Sequence, residues 1–376
     1  MKISSADISV VVQGAVDSSL LNECASSIRQ QLPDAEIILS TWDGTNISDS
    51  TLFDRVIFSK DPGAKPISIG GAMNNTNRQL VSTLSGIKAA TRRYTLKLRT
   101  DCRLDGIGFL EAFEQYPIRN PAFSLFQHKV VIPRYATRLE TSKRPYLFHP
   151  ADIALFGLTT DLHCLFNIPL VTEEQFAWHQ KSPDPVTRAQ LTKLGLFCQL
   201  VPEQHLFIHA LKQAGFAVSL AHPNEAPKEM VDLSRALLVN NYVVVNDRAF
   251  GLHHMKERLR DQIPADSATC YSRAMYEYVY KHYFDSSFQL DLSGKFWGPL
   301  VADFKSIEGL LKHAARIGAY AKMGFKSIHK AAGECIVTLY WLIRSVSLLL
   351  IPRHRKISLP SPRMSDLSQV DQRTAR

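Results

Sequence analysis

Short apolar runs alternate with amphipathic stretches over the first hundred residues, and this alternation constrains the fold more than any other feature. Residues 8–14 (ISVVVQG) are a continuous apolar run that ends at a glycine, which is typical of a strand buried in a parallel sheet. Residues 20–28 then place apolar side chains at helical spacing, with Asp17 or Ser18 available as the helix cap. The chain therefore begins as a strand followed by a helix.

The same pattern recurs before residue 100. Residues 36–42, 55–60 and 94–98 are predicted as further strands, and residues 74–92 as a long amphipathic helix. Two of these strands end in turn-forming sequences: Asp43-Gly44 closes 36–42, and Asp61-Pro62-Gly63 closes 55–60. The order strand, helix, strand, connection, strand, helix, strand predicts an α/β fold in which helices cover a mostly parallel sheet.

Composition and cysteine spacing bound the class of protein. The 376 residues are 45% hydrophobic and 21% charged, which is ordinary for a globular protein with a large core. The six cysteines are widely scattered without a CxxC pair, which favours reduced thiols in the cytoplasm over a disulfide framework or a zinc site. The first apolar run is too short for a signal peptide.

Polar side chains follow the predicted strands at the points where ligands bind in open α/β sheets. The sequence lacks GxGxxG after the first strand and lacks GxxxxGK[ST], so dinucleotide and P-loop sites are poorly supported. Carboxylates that hold Mg²⁺ or Mn²⁺ would neutralise a diphosphate instead, as in nucleotide-sugar transferases. The residues collected by this rule are Gln13, Gly14, Trp42, Asp43, Asp61, Arg99 and Asp101.

Five segments carry a resemblance to a known family: VVVQGAV, AEIILSTWDG, SKDPG, NNTNRQLVSTLSGIKAA and YTLKLRTD. Together they resemble the WavE family of lipopolysaccharide-synthesis proteins over roughly residues 7–250, most specifically from Asn74 to Asp101. The resemblance implies a GT-A-like nucleotide-diphospho-sugar fold. It also implies glycosyl transfer in the lipopolysaccharide core or a related surface glycan.

By the same resemblance, Asp101 takes the place of the metal-binding DxD motif, but the residue two positions later is Arg103 rather than an acid. Two alternatives follow. Asp101 holds the divalent cation with waters and phosphates, with Asp105 assisting, or the metal is dispensable and Arg99 or Arg103 binds the diphosphate.

Several donor-site candidates also have a purely structural interpretation. Gln13 and Gly14 either leave room for a nucleobase or ribose beside the first strand, or form a tight turn after it. Asp43 and Asp61 lie in Asp-Gly and Asp-Pro-Gly sequences that form turns on their own. On the long helix, Asn77 is assigned to donor binding, and Arg78 either reaches the diphosphate or pairs with a surface acid.

Two acids in the second half are the catalytic candidates. Asp152, in the segment FHPAD, is predicted to line an acceptor pocket with His149, although both positions also suit a cap. Glu203 is predicted at a strand-to-helix junction after FCQLV, where a carboxylate can take the proton of an acceptor hydroxyl. A glutamate in the first turn of a helix is also favoured by the helix dipole alone.

The carboxyl-terminal part differs in composition, which predicts three regions: a first domain (1–300), GT-A-like by the resemblance, a basic helical segment (301–357) and a disordered tail (358–376). Residues 301–376 contain 13 Lys/Arg against 5 Asp/Glu. The apolar run 335–351 is short for a membrane span and contains Arg344, which favours an anchor on an anionic membrane surface over a span. The alternative is a helical hairpin that packs on the body.

Three functional hypotheses follow. The first is a nucleotide-sugar-dependent glycosyltransferase, peripheral on the cytoplasmic face of a bacterial inner membrane, that acts on a lipid-linked oligosaccharide and not on nucleic acid. The second is a nucleotidyltransferase of the same fold, which the absence of a glycine-rich signature after the first strand disfavours. The third is a non-catalytic scaffold of a glycan-assembly complex.

Overall fold

The computed structural model describes residues 3–66, 73–138, 146–181, 189, 198–256, 270–271 and 273–290. Within these ranges the strands are β1 (Ile8–Gln13), β2 (Glu36–Trp42), β3 (Arg55–Ser59), β4 (Lys65–Pro66), β5 (Met73–Asn74), β6 (Tyr94–Arg99), β7 (Cys102–Leu104), β8 (Val130–Pro133), β9 (Leu155–Leu158), β10 (Tyr242–Val245) and β11 (Leu252–His254). The α-helices are α1 (Ser18–Gln31), α2 (Thr76–Ala89), α3 (Gly108–Phe113), α4 (Thr159–Phe166), α5 (Glu173–Phe176), α6 (Pro202–Gln213), α7 (Lys228–Asn241), α8 (Asp247–Phe250) and α9 (Arg273–Tyr283).

A seven-stranded sheet in the order β10-β8-β9-β6-β1-β2-β3 forms the centre of the fold. The strands β6, β1, β2 and β3 are parallel to one another, and β8 is parallel to β10. Only β9 among the strands of this sheet runs in the opposite direction, between β6 and β8. The prediction of an α/β fold with a mostly parallel, helix-covered sheet is therefore confirmed.

The first strand–helix unit forms as the sequence predicts. All six side chains of β1 are buried because β1 lies between β2 and β6, with helices packed on the sheet. Asp17 caps α1, since its Oδ1 accepts hydrogen bonds from the backbone N–H groups of Ser19 and Leu20. This cap satisfies two of the donors that the first turn of a helix leaves open.

The structure differs from the sequence expectation at β9, at the start of α6 and in the length of α2. The antiparallel β9 follows no strand–helix repeat, and its direction depends on a long connection rather than on local sequence. The described residues 198–201, which the sequence predicts as the end of a strand before Glu203, form a bend that leads directly into α6. The helix predicted over 74–92 is shorter, at Thr76–Ala89.

The predicted basic segment (301–357) and disordered tail (358–376) lie outside the described residues. Among the helices that the structure describes, none is long and apolar enough to cross a bilayer.

Helix α2 packs against the sheet at Gly86, where a side chain has no room. A methyl group on Gly86 would collide with Cγ1 of Val11 and lie 3.2 Å from Cβ of Ser40. We expect Gly86→Ala to lower the free energy of unfolding by about 1–3 kcal/mol, because overpacking outweighs the helix-propensity gain of about 1 kcal/mol. Urea denaturation measures this effect, with the exposed Lys88→Ala as the control from the same helix. A Gly86→Ala variant at least as stable as the parent would contradict the close packing.

Candidate functional site

The carboxyl ends of six strands meet at one edge of the central sheet. β1, β2, β3, β6, β8 and β10 run in the same direction, and the reversed β9 brings its first residues to the same edge. The register pairs Gln13 of β1 with Arg99 of β6. Asp101 follows β6 and Asp152 precedes β9, so this edge collects charged groups from distant parts of the sequence.

Arg99, Asp101 and Lys256 form a compact ionic cluster at this edge, here called the ion triad. Arg99 donates from Nε to Oδ1 of Asp101 at 2.9 Å and from Nη2 to Oδ2 at 2.6 Å. Nζ of Lys256 lies 2.8 Å from the same Oδ2. Burial raises the pKa of the Asp101 carboxyl, but the charges and hydrogen bonds of Arg99 and Lys256 outweigh it and lower the pKa to about 2. Asp101 is therefore ionised at neutral pH.

The ion triad is half-open to solvent. The Asp101 side chain is only 5% exposed, whereas Arg99 is 36% and Lys256 is 54% exposed. The antiparallel pair β7–β11 positions Lys256, and the backbone N–H of Met255 donates to the carbonyl of Asp101 at 3.1 Å. A buried carboxylate thus holds two cations that face the solvent.

Arg103 and Asp105 form a separate surface network. Arg103 donates from Nε to Oδ1 of Asp105 at 2.6 Å and from Nη1 to Oε1 of Glu23 at 2.7 Å. In the described part of the chain, the charges of Arg103 and Asp105 are paired with each other, and neither side chain contacts Asp101. This pairing favours Arg99 over Arg103 as the arginine available to an anion at the site.

Asp152 and Glu203 belong to a buried polar cluster, here called the carboxylate cluster. Oδ2 of Asp152 accepts from Nε2 of Gln79 on α2 at 2.7 Å. Nζ of Lys97 donates to the main-chain carbonyl of Asp152 and lies 3.4 Å from that of Ile153. Burial lowers the pKa of Lys97 to about 8, although the charge of Asp152 opposes that shift.

Glu203, in the first turn of α6, faces a neutral histidine. Nδ1 of His149 lies 2.9 Å from the carbonyl oxygen of Ala136, and a carbonyl can only accept, so the hydrogen-bond network assigns the proton to Nδ1. Burial lowers the pKa of His149 to about 3, which leaves Nε2 as an acceptor 3.5 Å from Oε2 of Glu203. Burial, and then the charge of Asp152, raises the pKa of Glu203 to about 8.

The backbone around His149 is strained and firmly held. Ala136 and Phe148, which are not glycines, have φ angles of 68° and 52°. Ser234 Oγ accepts from the N–H of Phe148 at 2.7 Å, and the carbonyl of His149 accepts from the N–H of Arg138 at 3.0 Å. Left-handed φ angles in non-glycine residues each cost about 1–3 kcal/mol and cluster at functional sites.

The ion triad and the carboxylate cluster are electrostatically one site. Lys97 and Arg99 project from the same face of β6, and each interacts with the charges of both Asp101 and Asp152. Glu203 interacts with Asp152 and Lys97. The edge of the sheet therefore places exposed cations next to a carboxyl group that can take up or release a proton near neutral pH.

Gln13 and Gly14 form a close junction between β1 and β6. Oε1 of Gln13 accepts from Oγ of Ser82, and its carbonyl accepts from the N–H of Thr100 at 3.1 Å. Gly14 has φ of +129°, and a side chain there would lie 3.3 Å from Oγ1 of Thr100. Gly14 therefore provides a turn that other residues enter only with strain.

Trp42 and Asp43 end β2 in a tight turn. Trp42 is half-buried, and its carbonyl accepts from the N–H of Thr45 at 3.1 Å. Gly44, with φ of +77°, completes the turn, and Asp43 is exposed. The turn-forming interpretation of Asp-Gly is correct, and ligand contact by Trp42 and Asp43 stays a prediction.

Asp61, Arg78 and Asn77 make contacts of their own. Arg78 donates from Nε and Nη2 to the two oxygens of Asp61 at 2.8 and 2.6 Å. In the structure, Arg78 therefore pairs with a surface acid, which was one of its two predicted roles. The Asn77 amide forms two hydrogen bonds with the backbone of Val171 and ties α2 to that segment. Donor binding by these three residues stays a prediction.

The residues at the edge do not fit a divalent cation. Both oxygens of Asp101 already contact cationic groups, and Arg103 occupies the position of a second acid. Across the described ranges, no group of three or more histidine, cysteine, aspartate or glutamate side chains is arranged to hold a metal ion. The cation predicted at Asp101 therefore stays a prediction that the arrangement of this site does not support.

Three residues of the site were not predicted from the sequence. The sequence does indicate Lys97, because a charged residue between Leu96 and Leu98 in an otherwise apolar strand is an unusual buried charge. The sequence does not indicate Gln79 or Lys256. The role of Gln79 depends on the packing of α2 against the segment before β9, and that of Lys256 on the pairing of β7 with β11.

Comparison with known proteins gives one result. A family model described as WavE lipopolysaccharide synthesis matches residues 8–302, which include the whole carboxyl edge of the sheet. A search of curated proteins finds no match. Because the family match covers most of the sequence, the chain belongs to the WavE lipopolysaccharide synthesis family.

Proposed function

We propose that the chain is a glycosyltransferase of the GT-A-like, nucleotide-sugar-dependent type, which extends a lipopolysaccharide core or a related surface glycan. Membership of the WavE family supports the place in lipopolysaccharide synthesis. The mostly parallel sheet with a polar carboxyl edge supports the fold type, since open α/β sheets bind ligands at that edge.

The observation that carries the proposal is the proximity of the ion triad to the carboxylate cluster. Transfer from a nucleotide sugar requires positive charge beside the leaving diphosphate and a base beside the acceptor hydroxyl. Arg99 of the ion triad supplies the first, and Glu203 supplies the second. Lys97, which interacts with the acids of both groups, connects them.

Each group then has a defined role in the transfer. The ionised Glu203 takes the proton of the acceptor hydroxyl while the hydroxyl oxygen forms a bond to the anomeric carbon. The bond from that carbon to the diphosphate breaks, and the electron pair leaves with the diphosphate, whose charge Arg99 stabilises. Asp152, held by Gln79 and Lys97, orients the acceptor, and its charge adds to the effect of burial in raising the pKa of Glu203.

The remaining candidates have places in the same proposal. Gln13, Gly14, Trp42 and Asp43 take the nucleoside at the ends of β1 and β2, while Asp61, Asn77 and Arg78 border it from β3 and α2. The acceptor is a lipid-linked oligosaccharide. The basic segment 301–357, outside the described residues, brings the domain to the cytoplasmic face of an anionic membrane.

The test is turnover by the purified full-length chain with a panel of nucleotide sugars and extracted lipopolysaccharide as acceptor. We expect one donor to release a nucleoside diphosphate in step with transfer of labelled sugar to the acceptor. Synthesis of a nucleotide sugar from a sugar phosphate, with release of pyrophosphate, would identify a nucleotidyltransferase instead. A folded chain that binds no nucleotide and transfers no sugar would indicate a scaffold.

A further inference from the structure

Both carboxylate oxygens of Asp101 already contact cationic side chains. Arg99 contacts both oxygens of the carboxylate through two nitrogens, and Lys256 contacts one of them at 2.8 Å. A divalent cation bound to Asp101 would compete with these contacts and would lie beside two positive charges. The position that a second acid would need is Arg103, which pairs with Asp105 and Glu23.

The same arrangement suits an anion. Two of the five N–H donors of Arg99 serve Asp101, and within the described residues no hydrogen bond occupies the other three, which can therefore serve a phosphate oxygen. Lys256, with more than half of its side chain exposed, can also direct N–H donors to the solvent side. With one negative and two positive charges, the ion triad is net positive at neutral pH.

We propose that Arg99 and Lys256 bind the diphosphate of the nucleotide donor directly, in place of a divalent cation, while buried Asp101 holds both side chains in position. This inference rests on the proposed glycosyl transfer. It assigns Lys256 to donor binding. Lys256 is a distant residue that reaches the site through the β7–β11 pair.

The experiment measures nucleotide binding by calorimetry on the full-length chain, without turnover. The probes are UDP, GDP, ADP and CDP with the matching monophosphates, each in EDTA and in Mn²⁺. We expect at least one diphosphate to bind in EDTA with an affinity within about threefold of that in Mn²⁺. The matching monophosphate should bind about tenfold or more weakly, because it lacks the second phosphate that the cations contact.

Variants then test which cationic side chains bind the diphosphate. Lys256→Ala should weaken binding of the diphosphate about tenfold and leave the monophosphate nearly unchanged, and Lys256→Arg should restore most of the loss. Arg103→Ala is the matched control, because this neighbouring arginine is held by Asp105 and Glu23, and its loss should leave the affinity unchanged.

The two proposals fail in different ways. Diphosphate binding that requires Mn²⁺, or that survives Lys256→Ala, would overturn the direct-binding inference and leave the proposed function standing. Absence of binding for every diphosphate in both conditions, together with absence of sugar transfer, would overturn both.

Discussion

Replacing Glu203 with glutamine should lower the turnover number of sugar transfer about a hundredfold or more, with donor binding unchanged. Glutamine keeps the shape of the side chain but cannot take the proton of the acceptor hydroxyl. The donor diphosphate is contacted by Arg99 and Lys256 in our proposal, so its affinity should not depend on Glu203. Steady-state kinetics and calorimetry on the same preparation measure the two quantities.

Stability separates this catalytic role from a helix-dipole role. Burial disfavours the ionised form of Glu203 and raises its folded pKa to about 8, so the free energy of unfolding falls as the pH rises from about 4.5 to about 8. Because glutamine stays neutral, Glu203→Gln should be at least as stable as the parent at pH 7.5. A carboxylate that served the helix dipole would instead make the glutamine variant less stable.

Glu229→Gln is the matched control for this prediction. Glu229 also lies in the first turn of a helix, α7, but is exposed. Its replacement should leave transfer unchanged and alter stability by no more than about 0.5 kcal/mol. A loss of transfer of about threefold or less in Glu203→Gln, with reduced stability, would return Glu203 to a structural role.

The rate of transfer should rise with pH up to about pH 8 and then level off. Only the ionised form of Glu203 accepts a proton, and burial and Asp152 raise its pKa to about 8. Each pH unit below this value should lower the rate about tenfold, so the rate at pH 6 is roughly a hundredfold below the plateau. A profile of turnover number against pH measures this dependence, at constant ionic strength.

The stability of the protein should change in the opposite direction over the same pH range. Between the ordinary glutamate pKa of about 4.5 and the folded value of about 8, the Glu203 contribution to the free energy of unfolding falls as pH rises.

The rising limb of the rate profile should be absent from Glu203→Gln. A limb centred near pH 4.5, or one that persists in that variant, would assign the proton transfer to another group.

Much of the first half of the fold is predictable from the sequence because its signals are local. The apolar run of β1, the helical spacing of α1 and the Asp17 cap each depend on neighbouring residues. The rule that ligands bind beyond strand ends then selects Gln13, Arg99 and Asp101 without a structure. The reversed β9 was not predictable in this way, because strand direction depends on how a long connection returns to the sheet.

The sequence by itself thus determined the parallel α/β framework and the strand ends that carry the candidate site. The state of that site was decided by the tertiary structure. Lys256 meets Asp101 only because β11 pairs with β7, and the pKa of Glu203 is raised only because folding buries it and brings Asp152 near it. Periodicity follows from the backbone geometry of adjacent residues, whereas charge compensation and desolvation depend on residues far apart in the sequence.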